Sequence, residues 1–368
     1  MSTSDRRDFV RNAARYLQKH QQRSGKFIYR ARPDKKKVRR DYNVLRHAGT
    51  LYALCQANEI IDDDLGDTID RGLEFLWRWY LVPIPAEDMQ YAIAAARPGK
   101  SSYDITKIGS MGLAVIAASS LSRDLTPFER DACAGLVRYA RSLIRPDGSM
   151  ISKLNYRTGE VSDFVSLYYP GEVSLGMLLY GVRFGDQEAT DTAVRIIEHL
   201  ADIRKDDYRV PADHWALLAT SKAFELARSG KLELSEDLTE RLYFHATQVI
   251  GELLRTAEAA QTDIGSLVSD GHCCAIGTRL EGMTAMQPWL KERGYAHIEQ
   301  LDFFIEMGIA YVIEAQYRKG DLKGGVPWVS PHHPHYSPDD QSPEVRIDTV
   351  QHNISAVLGG MALEAAED

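Results

Sequence analysis

The stretch SLYYPGEVSLGMLLYG, residues 166–181, sets two tyrosines and a Pro-Gly turn ahead of Glu172 and then runs into an apolar helix. A helix that is apolar on every face belongs in an interior. A carboxylate on its first turn is costly there unless it is paired or has a task. The same combination recurs along the chain. VLRHAGTLYALCQA from 44, TKIGSMGLAVIAASS from 106, DHWALLATSKAFELA from 213, CAIGTRLEGMTAMQ from 274 and IDTVQHNISAVLGGMAL from 347 are all rich in Gly, Ala, Ser and apolar residues. Each opens on charged or aromatic side chains.

Between these inner helices lie amphipathic ones. RDFVRNAARYLQKH places Phe9, Ala13, Tyr16 and Leu17 on one face, the i, i+3, i+4 signature of a half-exposed helix. DRGLEFLWRWYL, FERDACAGLVRYARSLI, ATDTAVRIIEHLADI, LTERLYFHATQVIGELL and LDFFIEMGIAYVIEAQY behave likewise. Outer and inner helices therefore alternate six times, with most inner starts 60–70 residues apart and one step near 42. A period of that size marks a repeated supersecondary unit. SGKFIYRARPDKKKVRRDYN, DGSMISKLNYRTGEVSDFVSLYYP and GGVPWVSPHHPHYSPDDQSPEVR each read as a Gly turn, a short strand or hairpin and a polar loop. The expectation is an all-α fold. Six helical hairpins close into a toroid, short β-hairpin loops gather at the cavity end, and residues 1–368 form one domain with no linker.

Composition narrows the function. Hydrophobic residues are 44% and charged residues 26%, with a net charge of -8, which is ordinary globular chemistry. A general nucleic-acid binder carries more basic surface, and PDKKKVRR at 33–40 reads as a solvated loop. No window is long and apolar enough for a membrane span. MSTSDRRDFVRNAARYL lacks a signal-peptide core, and Cys55, Cys133, Cys273 and Cys274 show no CxxC spacing. A cytoplasmic location is expected. No P-loop, GxGxxG, GxSxG or HExxH is present, so no cofactor is expected.

The inner-helix starts supply the candidate site. They carry Asp41, Arg46 and His47; Asp104 and Lys107; Tyr168, Tyr169 and Glu172; Asp213, His214 and Trp215; Asp270, His272, Arg279 and Glu281; and Arg346, Asp348 and His352. Taken singly, each acid could be a helix cap. Repeated six times, with a cation or histidine beside it, the pattern points to one ring of functional groups around a cavity.

At this point the chain resembles the (α/α)6-barrel, six-hairpin glycosidase-like superfamily of carbohydrate-active enzymes, in a bacterial branch. NVLRHAGTLYAL, YYPGEV, PADHWAL, TRLEG and RIDTVQHNISAVL carry the likeness, which spans nearly the whole chain. The resemblance implies a glycoside hydrolase, a polysaccharide lyase or a sugar epimerase acting on an oligo- or polysaccharide. For a hydrolase, Glu172 is the expected acid, and Asp348 or Glu281 the second carboxylate. Trp215, Tyr42 and Trp328 would stack on sugar faces. For a lyase or epimerase, Arg46, Arg279, Arg346 and Lys107 would neutralise a substrate carboxylate, while Tyr168, Tyr169, His214 or His352 would serve as base. The many cations suit an acidic substrate. A zinc reading would gather His272, Cys273, Cys274, His332, His333 and His335, but adjacent cysteines make an awkward tetrahedral pair, so no metal is expected. A non-enzymatic glycan-binding toroid is the remaining alternative.

Overall fold

The structure, a computed structural model, describes residues 2–33, 42–96, 104–260 and 265–367. Asp41 and most of the expected basic loop lie outside these residues. Twelve helices are found among the described residues, and each expected outer and inner helix is one of them. The outer helices are α1 (Thr3–Lys19), α3 (Gly66–Tyr80), α5 (Pro127–Ser142), α7 (Gln187–Arg204), α9 (Glu236–Ala259) and α11 (Ile298–Ala315). The inner helices are α2 (Val44–Asn58), α4 (Ile108–Ser119), α6 (Tyr169–Phe184), α8 (His214–Arg228), α10 (Cys273–Glu292) and α12 (Ile347–Glu367).

Side-chain caps start α1 (Ser2 with Asp5), α5 (Thr126 with Glu129) and α7 (Asp186) among the outer helices and α8 (Asp213) among the inner ones, whereas outer α11 has none. Such caps satisfy orphan N–H groups for about 0.5–2 kcal/mol each. The inner helices α4, α6 and α10 begin at Lys107, Tyr168 and His272 with no side-chain cap. Their first residues were therefore not chosen for capping.

The chain forms two compact units. The first comprises residues 1–42, 53–72 and 250–368, the second residues 43–52 and 73–249. In the first unit α12 packs against α10, α1 and α11. Leu17, Phe304, Leu280, Met283 and Ile354 are buried there, each worth roughly 1.5–3 kcal/mol in area removed from water. The first and last inner helices meet in this unit, where Ser355 of α12 donates a hydrogen bond to Gln56 of α2 at 2.7 Å. In the second unit α6 packs against α4, α7 and α8. Here the small residues of the inner helices explain themselves. A Cβ on Gly112 would lie 2.7 Å from the Glu172 carbonyl oxygen, and one on Gly176 would lie 2.7 Å from the Gly112 carbonyl. The backbones of α4 and α6 touch, and only glycine allows it.

The loops fold back on themselves through antiparallel bridges, Gln21 with Phe27, Leu154 with Val161 and Pro327 with Val345. They also pair with one another. Strand β1 (Arg30–Ala31) of the first loop pairs antiparallel with β6 (Val345–Arg346) of the last. Strand β4 (Ile105–Lys107) pairs with β5 (Lys153–Asn155). A further local hairpin, β2 (Leu81–Ile84) with β3 (Gln90–Ile93), falls where no hairpin was expected. Strands of two or three residues are too short to stand alone, and pairing between loops supplies their ladders.

Candidate functional site

In the first unit, α10 and α12 face each other across two polar rungs. Cys274 and Glu281 are seven residues apart and so share a face of α10; Asp348 and His352, four apart, share a face of α12. The upper rung is Cys274 Sγ to Asp348 Oδ2 at 3.8 Å. The lower rung is His352 Nδ1 to Glu281 Oε2 at 2.9 Å. Glu281 is 5% exposed, and burial pushes its carboxyl upward, with the charge and hydrogen bond of His352 opposing. The His352 side chain is 12% exposed. It is the member of the pair that retains an opening to solvent. A buried carboxylate fixes Nδ1 of the ring, and Nε2 faces the Gln351 side-chain amide at 3.5 Å.

Asp348 has a different fate. Arg346 Nε donates to its Oδ1 at 2.9 Å, and Arg346 Nη2 bonds its Oδ2. The guanidinium also lies 3.9 Å over the Trp328 ring. Asp348, expected as second carboxylate, and Arg346, expected as a cation for substrate, thus hold each other. Trp328 has one face covered by that guanidinium. Arg279, two residues from Glu281 on α10, donates from Nη1 to the Ala275 carbonyl at 3.3 Å.

The adjacent cysteines diverge. Cys273 is fully buried, and burial pushes its thiol up, whereas Cys274 faces Asp348. His272 lies against Trp328 and Asp270, while His333 and His335 meet edge to face with centroids 5.1 Å apart. The residues of the zinc reading do not act as one set.

In the second unit, Glu172 is the centre. It lies in the fourth helical position of α6, beyond any cap role, and is 5% exposed. A Cβ on Gly109 would fall 2.1 Å from its Oε2. The carboxyl therefore lies across the first turn of α4. Among the described residues Oε2 has no hydrogen-bond partner. Burial, then repulsion from Asp213, pushes its pKa up to about 8, with Lys107 opposing. Lys107 is pulled below the usual lysine range chiefly by burial, then by Lys153 and Arg46.

Several expected ligands of the second unit are buried against, or paired with, other side chains. Asp213 is fully buried, caps α8 through the Ala216 N–H, and pairs with Arg204 at 2.9 Å. Arg204 also reaches His245 at 3.2 Å, and burial with that positive charge lowers His245 to about 3. His47 is fully buried with its ring 5.2 Å from Phe75. Trp215 is 4% exposed, and its backbone and Cβ crowd Gly171, which leaves no face for stacking on a sugar. His214 is 3% exposed beside the edge of Tyr168 at 5.1 Å. Tyr168 is 39% exposed, whereas Tyr169 is buried. Asp104 is tied to Tyr156 and Arg157. Lys153, Arg204 and Ser355 were not singled out from the sequence. Lys153 and Ser355 depend on partners distant along the chain, Arg204 pairs with an acid nine residues on, and Lys153 was visible only as one residue of a strand.

No family model matches the sequence, and no curated protein matches it. Solved structures do. A cellobiose 2-epimerase from Bacillus thermoamylovorans is 12% identical with a TM-score of 0.71, covering 98% of each chain. A D-mannose isomerase is 10% identical with a TM-score of 0.69, again over 98% of each. A family 76 glycoside hydrolase, a mannosidase from Bacteroides thetaiotaomicron, is 10% identical with a TM-score of 0.65, covering 99% of this chain and 100% of that one. At such identities the likeness establishes the fold. It is the all-α, six-hairpin (α/α)6 fold of glycosidase-like enzymes expected from the sequence.

Proposed function

We propose that this chain is a sugar isomerase or epimerase that moves a proton at the carbon beside a carbonyl, with His352 as base and Glu281 as the carboxylate that orients it. The observation that carries the reading is the buried 2.9 Å Glu281–His352 rung. It is supported by the fold shared with a mannose isomerase and a cellobiose 2-epimerase. Glu281 accepts a hydrogen bond from Nδ1–H, so the Nε2 lone pair is the basic one, and substrate displaces the long 3.5 Å contact it makes with the Gln351 amide. Nε2 takes the C2 proton of an open-chain aldose. The C–H electron pair forms the C1–C2 double bond, and the carbonyl oxygen is protonated to the enediol. Return of a proton to C1 gives the ketose; return to the other face of C2 gives the epimer. Glu281 stabilises the imidazolium formed on the way. A positioned base of this kind contributes roughly 10² to 10⁴ in rate.

A glycoside hydrolase is the second reading, and one observation favours it. Glu172, at about 8, holds its proton at neutral pH, as a general acid must. The reading lacks an uncommitted second carboxylate, because Asp348 is held by Arg346 and Glu281 by His352. We also take residues 1–368 as one domain, on the 98% coverage of the neighbours. A saccharide substrate follows from the same reading. Cytoplasmic location is proposed from the absence of a disulfide among the described cysteines. No helix among the described residues is long and apolar enough to cross a membrane.

Product analysis on a panel of aldoses, ketoses and oligosaccharides tests the proposal. An equilibrium mixture of aldose with ketose or C2 epimer, approached from both sides, is the expected result. New reducing ends would replace it with the hydrolase, an unsaturated uronate chromophore with a lyase, and binding without any product with the glycan-binding alternative.

A further inference from the structure

The β4–β5 ladder puts Lys107 directly opposite Lys153. Like charges in that position destabilise a strand pair, so their juxtaposition asks for a compensating anion. Thr106 and Leu154 occupy the buried face of the ladder. Lys107 and Lys153 share the half-exposed one with Ile105 and Asn155. Among the described residues neither lysine side chain has an ion-pair or hydrogen-bond partner. The nearest acid in the electrostatics of Lys107 is Glu172, and no salt bridge joins them. Instead the Glu172 carboxyl lies over Gly109 with Oε2 unpartnered, in a residue 5% exposed. Lys107 itself sits at the N-cap of α4, a 12-residue helix with no acid in its first turn. Two partnerless cations and one partnerless carboxyl thus flank the same helix start.

We propose that Lys107 and Lys153, with the Glu172 carboxyl across the first turn of α4, form a subsite for the anionic group of a sugar, a carboxylate or a phosphate. This rests on the reading of the chain as sugar-active and adds the substrate class to it. The anion relieves the Lys107–Lys153 repulsion through charge-assisted hydrogen bonds. Glu172, which holds its proton at neutral pH, donates that hydrogen to an anion oxygen rather than repelling it. Arg46, which also depresses Lys107 electrostatically, adds to the local positive potential.

Isothermal titration of the full chain at low salt with D-glucose, D-glucuronate and D-glucose 6-phosphate tests the subsite without turnover. At least one anionic sugar is expected to bind about 10-fold or more tightly than glucose, and the preference should fall as salt is raised. The Lys107→Gln/Lys153→Gln double variant should lose the preference while melting at the same or a higher temperature, because the like-charge pair is gone. Which anionic sugar wins identifies carboxylate or phosphate. If the double variant does not fold, Lys153→Gln alone, at a half-exposed strand position, carries the test with an expected loss of about 3-fold or more. The subsite is overturned if both anionic sugars bind no more tightly than glucose, or if the variants keep the preference. Inactivity on every sugar would sink the isomerase reading and leave this binding result standing. An active isomerase indifferent to sugar charge would sink only the subsite.

Discussion

Glu172 and Glu281 are near twins in burial and opposites in company. Both are 5% exposed, both sit on glycine-bearing inner helices, and burial pushes both carboxyls upward. Glu281 has a histidine at 2.9 Å and a serine hydroxyl nearby, so its charge has somewhere to act. Glu172 has an oxygen with no partner and another acid, Asp213, raising it further. Burial alone makes an acid reluctant to ionise. The partner decides whether it becomes half of a proton-transferring pair or a stored proton waiting for a ligand.

The largest expected effect is on the paired side. His352→Asn should lower turnover by roughly 10² to 10⁴ while the fold melts near the wild-type temperature, read from steady-state kinetics beside a thermal scan. Glu281→Gln should lower it less, by about 10², because the ring remains but its Nδ1 proton is no longer held by a carboxylate. An enzyme that survives His352→Asn and loses turnover in Glu172→Gln would exchange the roles of the two regions and restore the hydrolase.

A third buried acid sharpens the contrast. Asp213 is more deeply buried than Glu172 yet carries a full ion pair with Arg204. Arg204→Met should cost about 3–5 kcal/mol in chemical denaturation, since it strands a buried carboxylate.

The smallest effect is a pH dependence. Glu172 has a folded pKa of about 8 against 4.5 as the ordinary value. Between those values the folded chain keeps a proton that the unfolded chain has released. Stability from this group is therefore full at low pH and declines as pH rises from about 4.5 toward 8. Glu172→Gln keeps the neutral form throughout. Its melting temperature should match wild type near pH 5 and exceed it by a few degrees near pH 8. Parallel melting curves across that range would remove the stored proton from the account.

The helices were legible because alternation of apolar-all-round with one-faced segments is a local property of the chain, and α6 and α4 show it within a dozen residues. The candidate positions were legible for the same reason: they lie at helix starts. What the sequence could not show was pairing. Arg346 and Asp348 stand only two residues apart, where strand passes into helix and neither periodicity puts them together, and nothing in the helix pattern says that Arg204 claims Asp213 or that His47 turns onto Phe75. Lys153 acquires meaning only because β5 lies against β4, 46 residues upstream of it at Lys107. Side-chain roles in this chain are set by contacts between helices, and those contacts need the fold.

The central claim is that His352, held by Glu281, moves a carbon-bound proton. Incubating the protein in deuterated water with the aldoses and ketoses of the panel, and following the C2 and C1 proton signals by NMR, tests it directly. Loss of the C2–H or C1–H signal with solvent deuterium appearing in product is expected for wild type, and its disappearance is expected for His352→Asn. Product formed with every carbon-bound proton retained, or unchanged exchange in His352→Asn, would contradict it.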